Sequence, residues 1–145
     1  MQCHPFVHNH YLFMHNGVIA GFAKIRRRLL SELSDDAYDA VPSFHSDSAV
    51  SFALFLSFLP NMSDTFPAEV LMRALQSVFE LITRLQEEAG VAGDCSLLNF
   101  VVSDGQTLIA TRYVSPTSDN PASLYYAEGT TFGCAATDVL LSACS

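Results

Sequence analysis

Leu12-Phe13-Met14-His15-Asn16-Gly17-Val18-Ile19-Ala20-Gly21-Phe22 joins an apolar run to a polar dipeptide and then to the start of a helical pattern. Tyr11 to Met14 reads as a short buried strand that delivers His15-Asn16-Gly17 at its end. Asn and Gly both tolerate positive φ, so the pair predicts a tight turn. Such a turn leaves a peptide N–H and a side-chain amide pointing the same way, and two convergent donors are what an oxyanion needs. Asn-Gly between apolar segments is first of all the mark of an ordinary turn, so the neighbouring sequence has to choose.

Downstream, Ile25, Leu29, Leu30 and Leu33 recur at helical spacing and predict a helix from about Ala23 to Leu33, with Arg26-Arg27-Arg28 on its solvated side. Ser34-Asp35-Asp36 supplies a cap and an acidic first turn for a short helix through Asp39, which Pro42 breaks. A polar loop, Ser43 to Ser48, leads into Val50 to Leu59, apolar nearly all round and therefore a central core helix. Pro67 opens a long helix to about Ala89, closed by Gly90. Leu71, Leu75, Val78, Ile82, Leu85 and Ala89 form one apolar seam along it, fit to dock on a neighbouring helix or on a partner.

The second half is β-rich. Residues 97–103 and 107–113 predict a hairpin around Ser103-Asp104-Gly105-Gln106, and 124–127 with 130–132 a further pair of strands. Helices followed by an antiparallel meander indicate an α+β domain.

The length of 145 residues suits one domain or a large piece of one, and half of the residues are hydrophobic, which excludes a disordered chain. Seven basic against fifteen acidic side chains leave a formal charge of -8, which opposes binding to nucleic acid. The four cysteines, Cys3, Cys95, Cys134 and Cys144, show no metal-binding spacing and no signal peptide precedes them, so reduced thiols in a cytoplasmic protein are expected. Val50 to Leu59 is too short for a bilayer, which takes ~20 residues, and no membrane association is expected.

Cys3-His4-Pro5-Phe6, His15-Asn16-Gly17 and Ser46-Asp47-Ser48 occur in an order and spacing that resemble the class II glutamine amidotransferases. The branch in question includes the amidotransferase subunit of the Dug glutathione-degrading complex. The resemblance runs to Tyr113 and more faintly to about Phe132. It implies an N-terminal nucleophile hydrolase fold, an αββα sandwich of antiparallel sheets, here incomplete, with 1–145 forming a single partial domain. It also implies cleavage of the γ-amide of glutamine, or of a γ-glutamyl bond, by an N-terminal cysteine, with no cofactor and no metal. Carried over by motif, Asn16 and the N–H of Gly17 form the oxyanion hole and Asp47 holds the substrate's α-ammonium. His15 belongs to the substrate-binding wall of the turn rather than acting as a general base. An ordinary helix N-cap is the competing reading of Asp47.

Departures accompany the matches. Gln2, Ser46 and Ala49 stand where the family pattern has Asn, Thr and Glu. The family's nucleophile and the arginine that pairs with the substrate carboxylate both precede the Cys-His-Pro block, at which this chain starts. Cys3 follows Gln2, so its nitrogen stays in a peptide bond and cannot serve as the base, and a structural thiol is expected. The chain alone is therefore expected to be inactive. The alternative is a non-catalytic pseudo-amidotransferase that binds ligand or associates with a peptidase or with itself. His4, His8 and His10 could imitate a metal site but lack companion carboxylates, so surface placement or adventitious binding is expected.

Overall fold

The computed structural model describes residues 4–115 and 120–125. Cys3 and the second pair of expected strands fall wholly or largely outside them. Among the described residues, nine elements follow in the order β1 (Phe6–His8), β2 (Tyr11–Val18), α1 (Phe22–Ser31), α2 (Asp35–Asp39), α3 (Asp47–Ser57), α4 (Ala68–Glu88), β3 (Ser96–Ser103), β4 (Leu108–Ala110) and β5 (Val114–Ser115). The strands form one antiparallel sheet, ordered β1-β2-β3-β4, with β5 also pairing with β3. The described residues thus hold a sheet with a helical layer on one of its faces, an α+β arrangement.

Asn16 and Gly17 do not make a turn. They lie inside β2, where Asn16 pairs with Asn99 and Gly17 with Leu98 of β3. Gly17 has φ 152, and a Cβ there would stand 1.8 Å from the Leu97 carbonyl oxygen, so the glycine answers a close backbone approach from a distant strand. The tight turn sits earlier. Asn9 takes φ 52 between β1 and β2, and its side-chain amide donates to the Met62 carbonyl at 3.0 Å. Beside it, the buried Tyr11 hydroxyl donates to the Asp64 carbonyl at 2.7 Å.

β2 alternates. Tyr11, Phe13 and His15 point into the core while Leu12, Met14, Asn16 and Val18 face outward, the period of two that a sheet covered on one face requires. The core is aromatic where sheet and helices meet: Phe13 stacks on Phe52 at 5.3 Å, and Phe100 lies between Phe13 at 5.0 Å and Phe79 at 5.4 Å. Such pairs add to the burial of their large apolar area.

The helices follow their sequence signals closely. Ser34 and Ser46 cap α2 and α3, accepting from Ala37 and Ala49. In α3 the unbroken run Ala49 to Leu56 is buried, because the helix is enclosed on most sides. α4 ends in a left-handed Gly90, with the Val91 N–H on the Gln86 carbonyl and the Gly90 N–H on that of Glu87, a Schellman closure. Its seam, Leu71 to Leu85, is buried in the core, which removes it as a surface for a partner. Arg28, on the outer side of α1, pairs with Glu88 of α4.

β4 is shorter than the sequence suggests. Thr111 interrupts the ladder by placing its hydroxyl 2.9 Å from the Phe100 N–H, and pairing resumes at β5. The turn before β4 is held by Asp104, whose Oδ1 accepts from Gln106 at 2.9 Å and Thr107 at 2.6 Å.

Candidate functional site

The end of β2 is where β1 has stopped and β3 has not. β1 pairs only with Tyr11 to Phe13, whereas β3 runs opposite Leu12 through Val18. The His15 N–H points to the β1 side, donating to His4 Nε2 at 3.3 Å. Backbone donors alternate along a strand, so the Gly17 N–H, two residues on, points the same way. β3 agrees: Leu98, opposite Gly17, donates its N–H away from β2, to the Tyr113 carbonyl at 2.9 Å. The register thus turns the Gly17 N–H away from β3, and among the described residues no loop or side-chain acceptor is recorded on it.

Asn16 stands beside it on the open face, exposed, with no side-chain hydrogen bond among the described residues. It lines a cleft of about 390 Å³ together with His4, Met14, Asn99, Val101 and the segment 123–125. Of the two donors expected from the sequence, Asn16 borders this cavity and Gly17 follows it in β2, on a strand edge rather than at a turn.

His15 contributes to the same wall from below, 6% exposed. Its Nε2 lies 3.0 Å from the Leu97 carbonyl, which can only accept, so Nε2 carries the proton; Nδ1, 2.9 Å from Ser48 Oγ, is then the acceptor. Burial holds the imidazole below the ordinary histidine range, outweighing the opposing pull of the Leu97 carbonyl and Asp47. With both nitrogens engaged, His15 braces Gly17 and Leu97 and has none to offer as a base.

A pH dependence follows from that burial. The unfolded chain binds a proton on this residue near pH 6.5 while the folded chain declines it, so stability falls as pH drops below that value. His15→Gln removes the contribution. Denaturant titrations from pH 7.5 to 5 should show the wild type losing up to about 1.4 kcal/mol per pH unit more than the variant. Parallel curves would contradict the assignment.

Asp47 is the first residue of α3, not its N-cap, a position Ser46 holds. Its Oδ2 accepts from the Ile19 N–H at 3.1 Å and Oδ1 from the Ser48 N–H at 2.7 Å. It thereby ties the exit of β2 to the start of α3, outside the lining of the cleft that Asn16 borders. The same exit is anchored again one residue on: Gln86 Nε2 donates to the Ala20 carbonyl and to Ser96 Oγ, both at 2.7 Å, and that hydroxyl accepts the Ala20 N–H at 2.9 Å.

The histidines do not gather. His4 supports β2, His10 contacts the Asp64 carbonyl at 3.2 Å, and among the described residues no group of three His, Cys, Asp or Glu could hold a metal ion. None of the described helices is long and apolar enough to cross a membrane. Two members of the site escaped the sequence reading. Ser48 orients His15, and Asn99 sits at a polar break in the outward-facing series Leu97, Asn99, Val101 and Ser103, its one visible signal.

No family model matches the chain. It is similar to "Probable glutamine amidotransferase DUG3" of Saccharomyces cerevisiae, with 35% identity over 141 residues covering 90% of the chain. The chain spans 39% of the length of that curated relative. Among solved structures it resembles a glutamine aminotransferase class-II domain protein from Silicibacter pomeroyi, at a TM-score of 0.67 and 31% identity, covering 82% of this chain and 50% of that one.

Proposed function

We propose that the chain belongs to the class II glutamine amidotransferases, to which its 35% and 31% identical relatives point, and that the cleft beside Asn16 receives the γ-carboxamide of glutamine or of a γ-glutamyl compound. The observation that carries this reading is the Asn16 amide, without a side-chain partner among the described residues, at a cavity of about 390 Å³, a size suited to a small metabolite, with Gly17 next to it along β2. In an N-terminal nucleophile hydrolase reaction these donors face the carbonyl oxygen and hold it as it becomes an oxyanion. One such donor is worth about 3 kcal/mol of barrier. Hydrolysis of the γ-amide releases ammonia, or an amine from a γ-glutamyl peptide such as glutathione.

Asp47 has carboxylate lone pairs left beyond the two backbone donors it accepts, enough to receive an ammonium group at the β2 exit. His15 acts there through position, keeping Gly17 and Leu97 in place. A cytoplasmic setting, with the thiols reduced, fits a small-molecule amidase of this kind.

Calorimetric titration with L-glutamine tests the reading. The expected result is saturable binding that Asn16→Ala weakens about fivefold, the value of one neutral hydrogen bond. Absence of binding, or equal affinity in the variant, would overturn it.

A further inference from the structure

Asn99 is 2% exposed, and its Oδ1 is enclosed without a hydrogen bond from any described residue. Its orientation is fixed, because Nδ2 donates at 3.1 Å to the Ala122 carbonyl, which can only accept. Arg112 holds the same carbonyl through Nε at 3.1 Å, so the segment over Asn99 is fastened from two sides. Buried acceptors are rarely left unmade, since each forfeits its solvation for nothing. Asn99 lines the cleft and faces Asn16 directly across the β2–β3 ladder, on the same side of the sheet.

We propose that Asn99 is a specificity-determining residue of the cleft, its Oδ1 accepting a hydrogen bond from the NH2 of a bound carboxamide. The inference rests on the proposed function and extends it to the other half of the ligand's amide. A carboxamide has one acceptor and one donor group. Asn16 and Gly17 offer donors to the first, and Asn99 offers an acceptor to the second, with paired side chains roughly 5 Å apart across a ladder. A carboxylate has no donor. Glutamate, the product of hydrolysis, would set a second negative oxygen against Asn99 Oδ1, so the cleft prefers substrate to product and releases the latter.

The experiment compares L-glutamine with L-glutamate by calorimetry on the whole chain, in the wild type, Asn99→Leu and Asn99→Asp, each first shown to melt cooperatively. The wild type should favour glutamine by about tenfold or more, from one bond gained and one acceptor left unmet. Asn99→Leu should bring the two affinities close to parity. A loss that merely loosens the cleft would lower both affinities together and leave their ratio intact, which overturns the inference. Asn99→Asp retains the acceptor and adds charge, so it should keep or widen the preference. Loss of the preference in that variant counts against the inference even if Asn99→Leu fails to fold. Failure of the wild type to bind glutamine overturns the functional reading and this inference with it, whereas glutamine binding with an unchanged ratio in Asn99→Leu overturns the inference alone.

Discussion

Gly17→Ala should lower stability by about 3 kcal/mol or more, a shift in Tm of roughly 10 °C for a chain of this size. The added Cβ would lie 1.8 Å from the Leu97 oxygen and 2.6 Å from its carbonyl carbon, both backbone atoms that cannot swing aside. Relief requires prising β2 from β3 at the Gly17–Leu98 pair, where the Leu97 carbonyl also holds His15. Gly105→Ala is the natural control. That glycine also has positive φ, at 86°, but a Cβ there meets nothing within 4 Å, so only conformational strain of about 1 kcal/mol applies. Thermal melts of the two variants should differ plainly, and equal melting temperatures would show that the strand contact yields more easily than its geometry implies.

Phe100→Ala should cost about 4 kcal/mol. Its ring is fully buried, stacked near Phe79, tilted against Phe13 and edge-on to His15 at 4.8 Å, so truncation opens a cavity directly beneath the wall of the cleft. The loss should appear in denaturant titration, and His15 should become easier to protonate as the cavity relaxes the burial that holds its imidazole low. A Phe100→Leu variant keeps most of the volume and should recover more than half of the stability. If alanine costs under about 1 kcal/mol, the aromatic layer is not the support described here.

The helices were legible because their signals are local. Caps at Ser34 and Ser46, the apolar run of α3, the seam of α4 and its closing Gly90 each lie within a few residues of what they control. The turn signals at Asp104 and Gly105 are local in the same way, and the hairpin stands there as read. Asn16-Gly17 misled because its glycine serves a strand that arrives about eighty residues later; no local rule distinguishes that demand from a turn. The real turn at Asn9-His10 carries no glycine and so gave no warning. The site residues were named from three ordered motifs, yet their setting was not: Asp47 is bound to Ile19 and Ser48, His15 is locked by Ser48 and Leu97, and Asn99 reaches the cleft only through the β2–β3 register.

The edge of β2 beyond β1 is proposed to present the Gly17 N–H and the Asn16 amide to a carboxamide. Titration of the 15N-labelled chain with L-glutamine, followed by amide shifts, tests this. Saturable shifts are expected, largest at the Gly17 backbone amide and the Asn16 side-chain NH2, with a matching change at Asn99. Binding that leaves Gly17 and Asn16 unmoved would contradict it.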